Sequence, residues 1–407
     1  MRGRRSPVPS DPEELEVAAS KQMSPEAFAY VAGGAGAQRT VHRNRQAFDA
    51  WGILPRMLRD VAERDLRVDL FGRTLPSPFL LSPIGVLEMA HPEADLAVGR
   101  AASALGIPFI LSSQASVPME KVAATMGDGP RWFQLYWSKS NELVESFVKR
   151  AEASGCEALV VTLDTTMLGW RTKDIDLAYL PFLRGKGIAQ YTSDPVFMER
   201  VRTQPADAVE DGGGISLSAI KNVLELAKSY PSGFAGLRSG EALAAVRTFI
   251  DIYSRPNLSW SDLSFLRART QLPILLKGIL HADDARTALN HGVDGLIVSN
   301  HGGRQVDGSV GTLDVLPSVV DAVAGRIPVI VDSGLRTGAD VFKALALGAR
   351  AVGLGRPWVY GLALDGEAGV RTVLENLLAD FDLTLGLSGQ TSASELSREC
   401  LRALDDG

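Results

Sequence analysis

Cysteine is nearly missing from these 407 residues. Cys156 and Cys400 are too few and too far apart for a disulfide framework or a zinc site, and no metal centre is expected. No apolar run approaches the roughly 20 residues of a membrane span. The basic start, Met1-Arg-Gly-Arg-Arg-Ser-Pro, has no hydrophobic segment behind it and reads as a flexible arm, so a cytoplasmic protein is expected. Charge of one sign is not in excess either. Forty-two basic and 48 acidic residues leave a net charge of −6, which argues against a nucleic-acid partner or an anionic membrane surface. A dinucleotide fingerprint is absent, because Gly33-Gly-Ala-Gly36 and Gly212-Gly-Gly214 do not follow strands.

What is present is an alternation. Apolar runs at Pro78–Gly85, Ile107–Ser113, Trp132–Tyr136, Ala158–Asp164, Leu272–Gly278, Gly295–Ser299, Ile327–Asp332 and Ala351–Gly355 read as buried parallel strands. Helical patterns such as 141–154, 282–290 and 338–347 separate most of them. Gly155, Gly292 and Gly348 each stop a helix shortly before the next run. The expected fold is an α/β protein, a (β/α)8 TIM barrel. Residues 1–75 are expected to form an N-terminal arm and helical segment, with a capped helix at Ser24–Ala32 and a basic, Pro-broken connector over 39–73. The barrel should occupy 76–365, and 366–407 should be C-terminal helices. A long insertion, 174–262, follows the fourth strand and reads as a lid, with helical stretches at 215–227 and 241–253.

Barrel sites are built from strand C-termini. Those ends here are Pro83-Ile84-Gly85, Ser112, Gln134 and Tyr136, Thr162 and Asp164, Lys277, Ser299 and His301, Asp332, and Gly355-Arg356. One polar ending is noise; eight together mean a polar site at one rim. Gly302 and Gly303 free the chain that carries His301 and Arg304. Asp332-Ser333-Gly334-Leu-Arg336 leads into a helix, whose opening backbone N–H groups, with Arg336 and Gly355-Arg356 alongside, suit a phosphate, either of a small substrate or of flavin mononucleotide. Ser112, Gln134, Thr162 and Lys277 suit a hydrogen-bonding ring. Arg171, Arg304, Tyr30 and Tyr136 suit a carboxylate, although Tyr30 alone reads as helix packing. Asp164 is placed to orient His301 and to raise its basicity.

These stretches resemble the flavin-dependent α-hydroxy-acid oxidising enzymes, a family that includes glycolate oxidase, lactate oxidase and lactate 2-monooxygenase. The resemblance runs from about Ala27 to about Trp358. It rests on Tyr30-Val-Ala-Gly-Gly-Ala, Met89-Ala-His-Pro-Glu, Phe133-Gln-Leu-Tyr136, Thr162-Leu-Asp164, Leu168-Gly-Trp-Arg171, Lys277-Gly278, Ser299-Asn-His-Gly-Gly-Arg304 and Asp332-Ser-Gly-Leu-Arg336. It implies an FMN-bearing barrel, commonly a homotetramer, acting on a small 2-hydroxy acid and O2. It implies His301 as catalytic base, Asp164 as its orienting partner, and Tyr30, Arg171 and Arg304 on the substrate carboxylate, with Tyr136 near the hydroxyl. Pro83, Ile84, Gly85, Ser112, Gln134, Thr162, Lys277 and Ser299 would face the flavin. Asp332, Ser333, Gly334, Arg336, Gly355 and Arg356 would take its phosphate end. Two positions depart from the family pattern: Ser333 replaces a glycine, and Gln114 stands where many members carry an aromatic. Gly85, where oxidases usually have alanine and whose smallness is expected to alter the room beside the flavin, the long insertion, and the wording Ala178–Asp194 resemble lactate 2-monooxygenase in particular. The expected reaction is therefore L-lactate with O2 to acetate, carbon dioxide and water. The alternative is an oxidase releasing keto acid and peroxide, and a binding protein or isomerase is a reading from another class.

Overall fold

The computed structural model of the chain describes residues 6–203 and 224–404. A parallel strand covered on both faces must be apolar throughout. All eight apolar runs become such strands: Phe79–Leu81, Phe109–Leu111, Arg131–Leu135, Leu159–Thr162, Ile274–Ile279, Gly295–Val298, Val329–Val331 and Ala351–Leu354. Each pairs in parallel with the next, and the eighth returns to the first, closing a (β/α)8 barrel. The outer helices start and stop where local chemistry dictates. Asn141–Ala153, for example, is capped by the Ser140 hydroxyl, which accepts from Leu143 N, and it buries Leu143, Val144, Phe147, Val148 and Ala151 against the strands.

Inside the barrel, Leu80, Ile110, Trp132, Val160, Leu275, Ile297 and Ile330 form one apolar layer. A hairpin, Val68–Leu70 with Arg73–Leu75, lays Val68, Leu70 and Leu75 against that layer and plugs the N-terminal end. The connector expected over 39–73 is thus partly regular. It holds the helix Arg39–Asp49, this hairpin's first strand, and the strand Trp51–Ile53. That last strand pairs antiparallel with Leu401–Ala403. The expectation of helices across 366–407 therefore holds only as far as Leu387, the end of a helix that begins at Arg356 and is broken at Asp365–Gly366. Beyond it come short 3-10 turns and the strand, because the chain end joins an edge 350 residues earlier in sequence.

The insertion packs on the barrel through aromatic side chains. Tyr191 meets Phe147, Phe197 and Phe249 edge-on, at centroid distances of 5.1, 5.5 and 4.8 Å, and Phe249 stacks on Tyr253. Its helix Glu241–Ile252 lies where expected. The glycine-rich stretch 204–214 and most of the expected helix 215–227 fall outside the described residues. Among the described residues, no helix is long and apolar enough to cross a membrane.

Candidate active site

The C-terminal rim of the barrel surrounds an open cavity. Of the residues singled out in the sequence, Tyr30, Pro83, Ile84, Tyr136, Arg171, Lys277, His301, Arg304, Asp332, Ser333, Gly334, Arg336, Gly355 and Arg356 line it directly. Asp164, Gly85, Ser112, Gln134, Thr162 and Ser299 stand outside that lining. Among the described residues, His301 is the only histidine in the cavity wall.

His301 sits just past the sixth strand at φ +58°, in a turn held by Asn300, whose side chain accepts from Gly303 N at 3.1 Å. A left-handed non-glycine residue costs energy and is held only when its surroundings fix it. The imidazole Nδ1 lies 2.8 Å from Asp164 Oδ1, and Thr165 Oγ1 donates to the same oxygen at 2.9 Å. Burial would raise the Asp164 carboxyl, but the charges of His301 and Lys277 outweigh it and hold the group at about 2. Nδ1 therefore carries the proton that Asp164 accepts, and Nε2 is left as the acceptor. Asp164 was expected to raise the imidazole's basicity. Burial outweighs it, and His301 titrates below its ordinary value, so it is neutral near pH 7.

Four buried or half-buried arginines face this cavity, and none forms an ion pair among the described residues: Arg171, Arg304, Arg336 and Arg356. Two of them finish the helix Pro25–Ala32. Arg304 donates to Tyr30 O and to Gly33 O, and Arg356 donates to Val31 O, Gly302 O and Gly33 O at 2.9–3.0 Å. The carbonyls left over at a helix C-terminus welcome such cations. Tyr30 is thereby more than packing: its ring lies 4.9 Å beneath the Arg304 guanidinium. Burial, then the charge of Arg171, pull Arg304 down to about 9. A carboxylate beside the pair would relieve that repulsion. Burial keeps the Tyr30 and Tyr136 phenols protonated, ready to donate.

Lys277 lies at a bulge in the fifth strand, where Gly278 has φ +110° and a Cβ would meet Asp164 Cβ at 3.0 Å. Its ammonium donates to Ser299 Oγ at 2.7 Å and lies 3.3 Å from Asp332 Oδ2. Burial opposes its charge, but Asp332 and Asp164 outweigh burial and keep it protonated. Ser333 adopts φ +73°, the conformation a glycine would take freely. Its hydroxyl compensates, donating to Asp332 Oδ1 at 2.8 Å and accepting from Gly302 N at 2.9 Å.

Two expectations need correction. The amides opening the helix Gly338–Ala346 were expected to receive an anion, but carboxylates already occupy them. Asp340 Oδ2 accepts from Arg336 N and Thr337 N, and Asp380 Oδ2 from Gly338 N. The arginines keep donors to spare: Arg356 spends three on carbonyls among the described residues, whereas Arg336 spends one, on Leu335 O. Gly85, secondly, opens no extra room. A Cβ there would strike Gln114 O at 2.7 Å, so the glycine serves close packing of two loops.

Sequence reasoning missed Ser82, which donates to Asp332 Oδ2 at 3.3 Å, and Thr165, because neither lies in a recognisable pattern. Phe182 and Tyr253 were missed too; both come from the insertion and wall the cavity, and only the fold could bring them there. Gln305 stands in the most informative stretch of the chain and was passed over.

Three buried polar atoms near the rim have no hydrogen-bond partner among the described residues: Gln134 Nε2, Thr162 Oγ1 and Asp164 Oδ2. Such atoms are costly unless something polar meets them. A donor and a hydroxyl on adjacent strands, a buried ammonium and unpaired arginines together fit a planar polar ring joined to a phosphate. Known proteins agree with that fit. The profile of FMN-dependent dehydrogenases matches residues 19–403. An L-lactate oxidase of Lysinibacillus sphaericus is 42% identical over 96% of this chain and 92% of its own length. Glycolate oxidase of Spinacia oleracea is 40% identical over 97% and 96%. A solved mutant of mandelate oxidase with a C4a-OH-FMN adduct superposes with a TM-score of 0.77 at 33% identity, covering 96% of this chain and 99% of that one. FMN is the cofactor of these relatives, and the chain belongs to the FMN-dependent dehydrogenase family, among the oxidoreductases of α-hydroxy acids.

Proposed function

We propose that the chain oxidises a small L-2-hydroxy acid of the lactate class to its 2-keto acid, passing two electrons to dioxygen to give hydrogen peroxide. The observation that carries this reading is a neutral His301, its Nε2 free as acceptor, in one cavity with the unpaired Arg171 and Arg304. The arginines and the Tyr30 phenol fix the substrate carboxylate, which leaves the α-carbon little freedom. Tyr136 donates to the substrate oxygen, and His301 Nε2 takes the proton. The imidazolium that results is stabilised by ionised Asp164, which also holds the ring in the required tautomer. FMN, when bound, takes the two electrons that leave the substrate carbon. Arg336 and Arg356 would hold its phosphate beside the turn Asp332-Ser333-Gly334 and Gly355. Ser112, Gln134, Thr162, Ser299 and Lys277 would meet its polar ring, with Pro83, Ile84 and Gly85 bordering it; Lys277 adds a buried positive charge.

A second reading is lactate 2-monooxygenase, in which L-lactate and O2 give acetate, carbon dioxide and water. Phe182 and Tyr253, reaching over from the insertion, favour it, since a roofed cavity retards escape of the keto acid. Gly85 lends it no support. Aerobic turnover of L-lactate with catalase present distinguishes the two, because catalase prevents decarboxylation by free peroxide. Pyruvate as the carbon product is expected. Acetate and carbon dioxide that persist with catalase would establish the second reading. No reduction of the bound flavin by any 2-hydroxy acid would overturn both.

A further inference from the structure

The loop after the fourth strand carries two groups that must be placed independently well. Asp164 opens it and orients His301; Arg171 ends it and faces the substrate carboxylate. Between them the chain has little apolar burial to hold it, for Met167 is 68% and Trp170 71% exposed. Loops with few buried contacts depend on hydrogen bonds for their order. Here those bonds converge on one side chain. Gln305 Nε2 donates to Asp164 O at 2.6 Å and to Met167 O at 2.8 Å. Its Oε1 accepts from Gly169 N at 3.2 Å and from Arg171 Nη2 at 3.3 Å. Both donors and both lone pairs of the amide are in use. The fit is close: a Cβ on Gly169 would lie 2.8 Å from Gln305 Cα. Arg171 Nε also donates to Arg304 O at 3.4 Å, so the neighbouring backbone completes the attachment.

We infer that Gln305 is a positioning residue that couples the proton-accepting pair to the carboxylate clamp. It sits two residues past the turn of His301–Gly303 and next to Arg304, and reaches across to fix Asp164 and Arg171 at one spacing. The inference rests on the proposed roles of Arg171 and His301. A side chain that touched only Arg171 would tune binding alone. One that touched only Asp164 would tune the base alone. Gln305 does both, so its loss shifts KM and kcat together.

The test uses the FMN-loaded enzyme and three proteins: wild type, Gln305→Leu and Gln305→Glu. Leucine keeps a branched apolar body, one bond shorter than glutamine, and removes all four bonds. Glutamate keeps the acceptors for Gly169 N and Arg171 but loses both donors. Binding of pyruvate, read by its perturbation of flavin absorbance, is expected to weaken about tenfold or more in Gln305→Leu, with kcat for L-lactate down on the order of 10²-fold. Gln305→Glu should recover the pyruvate affinity, relative to Leu, while its acid-limb midpoint in kcat stays displaced. Flavin content and melting temperature, measured on the same samples, separate positioning from folding. Pyruvate affinity and KM within twofold of wild type in Gln305→Leu, or activity lost only in proportion to flavin lost, would overturn the inference. Failure of L-lactate and other 2-hydroxy acids to reduce the wild-type flavin would instead remove the functional reading beneath it.

Discussion

Two inward-facing layers of the barrel are one step apart on every strand. Leu80, Ile110, Trp132, Val160, Leu275, Ile297, Ile330 and Ala351 belong to the lower layer, under which the 68–75 hairpin closes. Two residues further on, the same strands carry Ser82, Ser112, Gln134, Thr162, Lys277, Ser299, Asp332 and Gly353. Residues i and i+2 of a strand point the same way, so both sets face the barrel axis. The lower layer is satisfied by packing alone. In the upper one, a buried lysine is balanced by aspartates, and buried atoms of Gln134 and Thr162 lack partners among the described residues. A rim of that kind costs stability, which only a bound polar group offsets. Conformation and chemistry therefore separate along 7 Å or so of strand, about two residues at the usual rise.

The sharpest way to break this division is at Asp164. Asp164→Asn removes the acceptor charge beside His301 Nδ1 and should lower kcat on the order of 10²- to 10³-fold, measured in steady state, with flavin still bound. A loss under tenfold would mean that His301 needs no such partner. In the lower layer, Ile110→Ala should cost about 3 kcal/mol in denaturant unfolding yet leave KM unchanged; a raised KM would show that the two layers are coupled. Thr162→Val goes the other way. By removing an orphaned hydroxyl it should stabilise the FMN-free protein by about 1 kcal/mol and weaken FMN retention, read by flavin release on dilution. Lower stability with unchanged FMN affinity would contradict the account. The smallest effect is a pH shift. Burial lowers His301, so the acid limb of kcat/KM should fall below pH ~6.5. Stability should respond with the same sign: below about 6.5 the unfolded imidazole binds a proton that the folded one refuses, so stability falls as pH drops toward the folded value. An acid limb above 6.5 would mean that Asp164 prevails over burial.

Much of this was legible in the sequence because a doubly covered strand leaves a plain trace. Each run is aliphatic until the rim and then turns polar, as Leu-Ile-Val gives way to Ser299-Asn-His301. The candidate site follows from those endings. Two kinds of feature leave no trace. Three-residue strands that lie outside an apolar run, such as Trp51–Ile53 and Leu401–Ala403, are too short for a period, and their pairing joins segments 350 residues apart. Side chains whose role is to bond backbone, such as Gln305 on Asp164 O or Arg356 on Gly33 O, carry no pattern, since the partner is any residue's carbonyl. The helix start at Gly338 misled for a related reason. Asp340 lies only four residues past Arg336, yet its turn back to cap the amides of Arg336 and Thr337 emerges only in three dimensions.

On the proposed function, His301 above the upper layer removes a proton as a 2-hydroxy acid is oxidised. Anaerobic mixing of L-lactate with the FMN-loaded wild type and with His301→Ala, followed by flavin absorbance at saturating substrate, tests it most directly. The wild type should bleach rapidly. The variant should remain yellow, its reduction slower on the order of 10³- to 10⁴-fold, while pyruvate still binds through Arg171 and Arg304. Bleaching of His301→Ala at the wild-type rate would contradict the account and assign the proton to another group.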